Sequence, residues 1–103
     1  MARVSLSAFD EHVRLIRDTG APVVGAAVGI SATRRGRVFY QTTDGRGWTP
    51  DFRFSEPGSF YIWTRVAGRL RSVAWTFQQN QNPPELVAHR NGTLTVDEYA
   101  GSV

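Results

Sequence analysis

Apolar and polar residues alternate along much of this chain, in short runs that glycine and proline interrupt. In residues 22–33, every second position from Val24 to Ile30 carries an apolar side chain. Residues 59–66 and 70–78 repeat this alternation on either side of a short turn that contains Gly68. A period of two places alternate side chains on opposite faces of a β-strand. Short strands with turns about every 8–12 residues are typical of β-sandwiches and barrels, so the pattern predicts an all-β protein.

The predicted fold is an antiparallel β-sandwich of seven or eight strands. The strands are expected at residues 12–18, 22–33, 37–43, 48–54, 59–66, 70–78, 86–90 and 93–97. The turn residues between them are Gly20, Pro22, Gly25, Asp44, Gly45, Gly47, Pro57, Gly58, Asn91 and Gly92. Asn91-Gly92 between two such runs is a strong hairpin signal. Pro57 followed by Gly58 predicts a type II turn with a positive φ at the glycine.

The two ends of the chain are predicted separately. Ser7 and Asp10 fit the cap and first turn of a helix, so we expect a short helix or turn at 7–11 that leads into a strand. The alternative is a strand at 3–8 followed by a short turn. Towards the C-terminus we predict an immunoglobulin-like sandwich over 1–78, a polar linker over 79–84 and a β-hairpin extension over 85–103. Whether 79–103 packs on its own domain or on a neighbouring molecule stays open.

Composition narrows the class of protein. The chain has 103 residues, of which 41% are hydrophobic, which suits one domain with one core. It has no cysteine, and this excludes disulfides and thiolate metal sites. The sequence contains no signal-peptide core and no run of about 20 apolar residues that would span a membrane. We therefore expect a soluble protein that is made in the cytoplasm, with no membrane partner.

The basic residues are unusual because all twelve are arginine. Codon usage in a GC-rich genome explains this most simply, and selection for bidentate contacts to phosphate or carboxylate is the alternative. Two groups stand out, namely Arg34, Arg35 and Arg37 at one turn, and Arg65, Arg69 and Arg71 near another. The formal net charge is only +3, which argues against nucleic-acid binding as the function.

Catalytic and metal-binding chemistry lacks a suitable set of residues. Asp44, Asp51 and Glu56 each lie next to glycine or proline, where turns expose acids to solvent. His12 and His89 are far apart in sequence and have no second histidine or cysteine nearby. No serine lies in a Gly-x-Ser-x-Gly turn. The sequence therefore predicts a protein that is not an enzyme, with no cofactor and no metal.

The most informative chemistry lies on the strand predicted at 59–66. If Phe60, Ile62, Thr64 and Val66 point inward, then Tyr61, Trp63 and Arg65 point outward. Two large aromatic residues and an arginine are what protein interfaces enrich. We predict an interface of Tyr61, Trp63 and Arg65, with Arg34, Arg35 and Arg37. The alternative is that the N-terminal segment or the 85–97 hairpin folds back over these side chains.

Several blocks of the sequence resemble those of a known family. The blocks are HVRLIRDTGAPVVGAAVGIS, QTTDGRG, SEPGSFYIW and SVAWTF, which together cover residues 11 to 78. They resemble bacterial immunoglobulin-like domains of the invasin/intimin type and related prealbumin-like repeats. The matching positions are Asp18, Gly20, Pro22, Val23, Gly25 and Val28, then Thr43, Asp44 and Gly47, then Pro57, Gly58 and Phe60.

This resemblance implies a structural or interaction role. A lone domain of this kind without an export signal is similar to small structural proteins of tailed bacteriophages. The expected function is therefore a non-enzymatic component of a larger assembly, specifically a virion decoration, connector or tail protein. Its expected partners are other protein subunits, in a virion or a homo-oligomer. The alternative is a carbohydrate-binding module in which Trp48, Tyr61 and Trp63 stack on a glycan, and nucleic-acid binding ranks below it.

Overall fold

The computed structural model describes residues 9–101. Within these residues the chain forms nine β-strands and no helix, which confirms the all-β prediction. The strands are β1 (Phe9–Glu11), β2 (Arg14–Arg17), β3 (Ala27–Ser31), β4 (Phe39–Thr42), β5 (Phe52–Phe54), β6 (Gly58–Val66), β7 (Arg69–Phe77), β8 (Pro84–Ala88) and β9 (Leu94–Glu98). No helix long and apolar enough to cross a membrane occurs in the described part of the chain.

One layer of the fold is a four-stranded antiparallel sheet in the order β4-β3-β6-β7. Its register places Ile30 opposite Ile62 and Ile62 opposite Val73. The hairpin between β6 and β7 has a two-residue loop, because Val66 pairs with Arg69. Ala67 and Gly68 both have positive φ, 51° and 78°, as a type I′ turn requires.

The second layer contains the remaining five strands in two small sheets. One sheet pairs β1 with β5, and the other has the order β2-β8-β9, in which β2 and β8 run parallel. The two small sheets are joined because the chain passes directly from β1 into β2. This stretch lies beside the segment that leads into β5. Thr49 donates its backbone N–H to the Val13 carbonyl at 2.8 Å, and Leu15 donates to the Gly47 carbonyl at 2.8 Å. The two small sheets therefore act as one layer.

The core lies between the two layers. The four-stranded sheet contributes Val28, Ile30 and Ile62, all buried, together with Phe77. The second layer contributes Val13, Leu15, Phe52, Phe54 and Leu86. The inward set predicted for residues 59–66 agrees with this arrangement, since Ile62, Thr64 and Val66 are buried and Phe60 packs against the core. Burial of these apolar surfaces is the main force that holds the layers together.

The C-terminal hairpin packs on its own domain. β8 pairs along its length with β2, so Leu86 lies beside Leu15, and both side chains are fully buried. The turn of the hairpin includes Gly92, whose φ is 89°. The backbone carbonyl of Gly92 accepts a hydrogen bond of 3.0 Å from the Arg71 side chain in β7. The hairpin thus supplies two of the three strands in the β2-β8-β9 sheet.

Three local predictions were wrong. Residues 9–11 form β1, not a helix, because Phe9 pairs with Phe54 and stacks on its ring at 5.4 Å. Gly58 lacks the positive φ of a type II turn and instead begins β6. The strand predicted over 22–33 is confined to β3, because Gly25 has a φ of 72° and the residues before it connect the two layers. Residues 1–8, including the alternative strand at 3–8, lie outside the described residues.

Candidate functional site on the outer face of the four-stranded sheet

The outer face of the four-stranded sheet carries the predicted aromatic and arginine side chains of β6. Tyr61 and Trp63 are half-buried on this face, and Arg65 is exposed. The Trp63 indole N–H donates a 2.8 Å hydrogen bond to the Ser31 hydroxyl on the neighbouring strand. Ser31 in turn donates to the Thr33 carbonyl at 2.7 Å. These bonds satisfy the indole donor and fix the orientation of Trp63 on the sheet.

The β3–β4 loop brings one predicted arginine onto the same face. The Arg34 guanidinium carbon lies 5.4 Å from the centroid of the Tyr61 ring, within cation–π range. Arg37 instead lies 5.0 Å from the ring of Phe39, a residue that pairs with the inward-facing Ile30. Arg35 is exposed in the loop. The structure therefore places Tyr61, Trp63, Arg65 and Arg34 on one face and the other two arginines at its end.

Two exposed apolar residues on this face were not predicted. Tyr40 is 51% exposed and Leu70 is 44% exposed. Tyr40 and Trp63 both pair with Gly29, and Leu70 pairs with Arg65, so all four side chains share the outer face. A sequence signal for them existed, because the period-two pattern assigns Tyr40 and Leu70 to the outward parity once the register of the strands is known.

Gly29 determines how the Tyr40 ring lies on the sheet. A Cβ atom at this position would meet Tyr40 Cε1 at 2.7 Å and would also collide with Val38. The missing side chain therefore lets the tyrosine ring lie flat over the backbone of β3. Tyr40, Ala27, Arg65 and Leu70 help to line a shallow depression of about 460 Å³ beside it. We call the surface formed by Tyr40, Tyr61, Trp63, Arg65 and Leu70 the outer-face patch.

Charge is distributed unequally between the layers. The stretches 27–42 and 58–77, which build the four-stranded sheet with its loop and turn, contain six arginines and no acid, a formal charge of +6. The rest of the chain has six arginines and all nine acids, a formal charge of −3. The modest net charge of +3 therefore conceals a strongly basic sheet. Electrostatic attraction depends on such local charge more than on the total.

Neither the 85–97 hairpin nor residues 9–17 cover the outer-face patch, although the alternative prediction was that these segments fold back over it. The 85–97 hairpin lies in the second layer, as do residues 9–17 of the N-terminal segment. Partial cover comes instead from the β3–β4 loop, through Arg34 and Val38. The partial burial of Trp63 and Tyr61 thus comes from their own sheet and its β3–β4 loop.

The second layer carries a different aromatic cluster, which sequence analysis missed. Arg14 pairs with Glu85 at 3.1 Å and lies 5.8 Å from the Trp48 ring and 5.5 Å from the Tyr99 ring. The Trp48 ring contacts Tyr99 edge-on, with centroids 5.0 Å apart, and contacts His12 at 4.8 Å. Trp48 therefore belongs to a different layer from Tyr61 and Trp63, and the three cannot form one platform for a glycan.

Two of the acids singled out in the sequence, Asp44 and Asp51, have partners among the described residues. The Asp44 carboxylate accepts backbone hydrogen bonds from Arg46 at 2.8 Å and Trp48 at 3.0 Å, and these bonds lower its pKa. Asp51 lies 3.3 Å from the His12 ring. Burial raises the pKa of Glu11, an effect that His12 opposes and Asp51 reinforces. Within the described residues, no group of three or more His, Cys, Asp or Glu side chains is arranged to hold a metal.

Comparison with known proteins gives no relative. No protein-family model, no curated protein and no solved structure matches this chain. What the site can do is therefore argued from its geometry and charge.

Proposed function

We propose that the protein is a non-enzymatic structural or interaction module of a larger assembly, and that it docks through the outer-face patch. The observation that supports this proposal is the exposure of Tyr40 and Leu70 beside Trp63 and Arg65 on one sheet face. Exposed aromatic and arginine side chains around a shallow apolar centre are the composition that interfaces favour. A partner that covers them gains the burial that the isolated domain leaves unused.

For the fold, we propose an immunoglobulin-like β-sandwich. In the constant-type immunoglobulin order, the first and second strands share a sheet and the third lies in the other. Here β1 and β2 lie in one layer and β3 lies in the other, which agrees with that order. Placement in a bacteriophage virion is proposed from the sequence resemblance to bacterial immunoglobulin-like domains.

The proposed docking is tested with variants at exposed residues of the patch. These variants are produced in the cells that make the protein. Leu70→Glu and Tyr40→Glu are compared with Val24→Glu, because Val24 is 61% exposed but lies outside the sheet. By light scattering after size exclusion, we expect the wild type and Val24→Glu in a complex larger than the 11.5 kDa chain. The two patch variants should elute as free monomer.

A monomeric wild type, or patch variants that stay in the complex, would contradict the docking proposal. Trp63→Ala measures how much this residue contributes to the binding free energy, because truncating a central interface tryptophan weakens binding by about 2 kcal/mol or more. The virion location is tested separately, by asking whether the wild type sediments with phage particles on a density gradient.

A further inference from the structure

The arginines of the four-stranded sheet lack acidic partners within the described residues. All three ion pairs of the described chain lie in the second layer: Arg14–Glu85, Arg53–Asp10 and His12–Asp51. Of the six arginines in the sheet, Arg71 donates to the Gly92 carbonyl and Arg65 donates to the Gly68 carbonyl. Six positive charges without a neutralising acid favour a partner that carries several negative charges.

Arginines lie at both ends of the outer face. Ser31 pairs with Tyr61, so the loop that follows Ser31 lies at the Tyr61 end, and its Arg34 guanidinium carbon lies 5.4 Å from the Tyr61 ring centroid. Arg65 lies at the other end, beside the β6–β7 turn, whereas Arg69 pairs with the buried Val66 and has the inward parity. Tyr61 and Arg65 are four positions apart, which corresponds to about 13 Å along a strand. Tyr40 and Trp63, both opposite Gly29, lie between the two arginines.

We propose that the outer-face patch binds a short stretch of single-stranded nucleic acid. The arginines contact phosphates at the two ends of this stretch, and the aromatic rings between them stack on unpaired bases. The inference rests on the proposed function in that it names the partner of the same face. The two stretches that build this sheet carry a formal charge of +6, although the whole chain carries only +3.

The arrangement favours a nucleic acid over an acidic protein surface. A protein partner would have to present carboxylates at both ends of the patch and an apolar surface at its centre. A nucleic-acid strand offers a phosphate at every nucleotide and a ring face on every base. A distance of about 13 Å is enough for about four nucleotides at a stacked spacing of about 3.4 Å. A duplex keeps its base faces covered, so the aromatic centre favours a single strand.

The test is fluorescence anisotropy of labelled twelve-nucleotide probes, namely oligo-dT, oligo-rU and a DNA duplex of equal length. We expect binding to both single strands at 50 mM NaCl, with affinity falling steeply as salt rises to 200 mM. For a single strand, log K falls against log salt with a slope of about −0.7 per phosphate contact, so Arg34→Gln/Arg65→Gln should reduce the slope by about 1.4. The dT and rU arms show whether DNA or RNA binds more tightly.

Two kinds of variant distinguish binding at this site from nonspecific attraction to a positively charged protein. Arg17→Gln/Arg46→Gln removes the same charge from exposed positions of the second layer and should leave affinity within about twofold of the wild type. Arg34→Gln/Arg65→Gln should weaken binding at least about tenfold. Tyr40→Ala and Trp63→Ala should each weaken it about tenfold through lost stacking. Tyr40 is 51% exposed, so its truncation gives a result even if Trp63→Ala impairs folding.

The outcomes are distinguishable. Absence of binding to either single strand at 50 mM NaCl overturns the inference, as does equal weakening by the two arginine pairs or no effect of the aromatic variants. If binding fails while Leu70→Glu still releases the protein from its native complex, the partner is a protein and the proposed docking function stands. If duplex binds as tightly as single strands, the stacking proposal is wrong.

Discussion

The two layers of this protein use arginine in opposite ways. In the second layer, Arg14 is held by a carboxylate and two aromatic rings and has become part of the structure. In the four-stranded sheet, Arg65 is exposed, and its stretch of sequence contains no acid. An arginine that already has its counter-charge stabilises its own fold, whereas one that lacks it remains able to bind another molecule. The contrast separates a structural face from a binding face.

The largest expected effect tests whether the layers form one cooperative unit. Leu86 lies in the C-terminal hairpin, is fully buried and pairs beside Leu15. Leu86→Ala should lower the free energy of unfolding by about 3 kcal/mol, from lost burial and the cavity left behind. Chemical denaturation followed by circular dichroism should show a single transition at lower denaturant. Two separate transitions would mean that the hairpin unfolds independently, as an extension would.

The next prediction compares the two arginines directly. Arg14→Met should lower the free energy of unfolding by about 2 kcal/mol, because it leaves the partly buried Glu85 carboxylate without its partner. Arg65→Met should change it by less than about 0.5 kcal/mol, since exposed residues without an ion pair contribute little. Equal effects in denaturant titrations would contradict the division between a structural and a binding arginine.

The smallest effect concerns pH. Burial raises the pKa of Glu11 in the folded state, so its protonated form favours folding, and this contribution is lost as pH rises above the ordinary value of 4.5. Glu11→Gln should therefore gain stability relative to the wild type as pH increases from 4 towards 7. The Asp44 pKa is lowered, so its contribution is present above 3.8 and is lost as pH falls. In thermal melts below pH 4, the stability of the wild type should therefore fall towards that of Asp44→Asn.

The fold could largely be predicted from the sequence where the strands are long and the turns between them are short. β6 and β7 each have nine residues, so their alternation identifies which side chains point inward, and Gly68 marks the turn between them. The short helix or turn expected at 7–11 was wrong over residues 9–11, because the pairing of Phe9 with Phe54 outweighs a local capping signal. Local patterns therefore predicted elements well and their partners poorly.

Only part of the candidate site could be predicted from the sequence. Tyr61, Trp63 and Arg65 follow from the alternation of a single strand. The contribution of Tyr40 and Leu70, and the absence of acids from the sheet, depend on which strands are neighbours. Neither sequence spacing nor net charge contains that information. The Arg14–Glu85 pair was out of reach for the same reason, since 71 positions separate its members.

The parallel pairing of β2 with β8 has a consequence for how the chain is made. The two strands are separated by 71 positions, so β2 emerges from the ribosome long before its partner exists. At about 5–20 residues per second, that interval is roughly 4–14 s. Leu15 lacks its neighbour Leu86 for this whole interval, whereas β6 and β7 follow one another directly and can pair as soon as residue 77 is made. Translation speed and chaperone access between the synthesis of β2 and that of β8 should therefore govern the yield of folded protein.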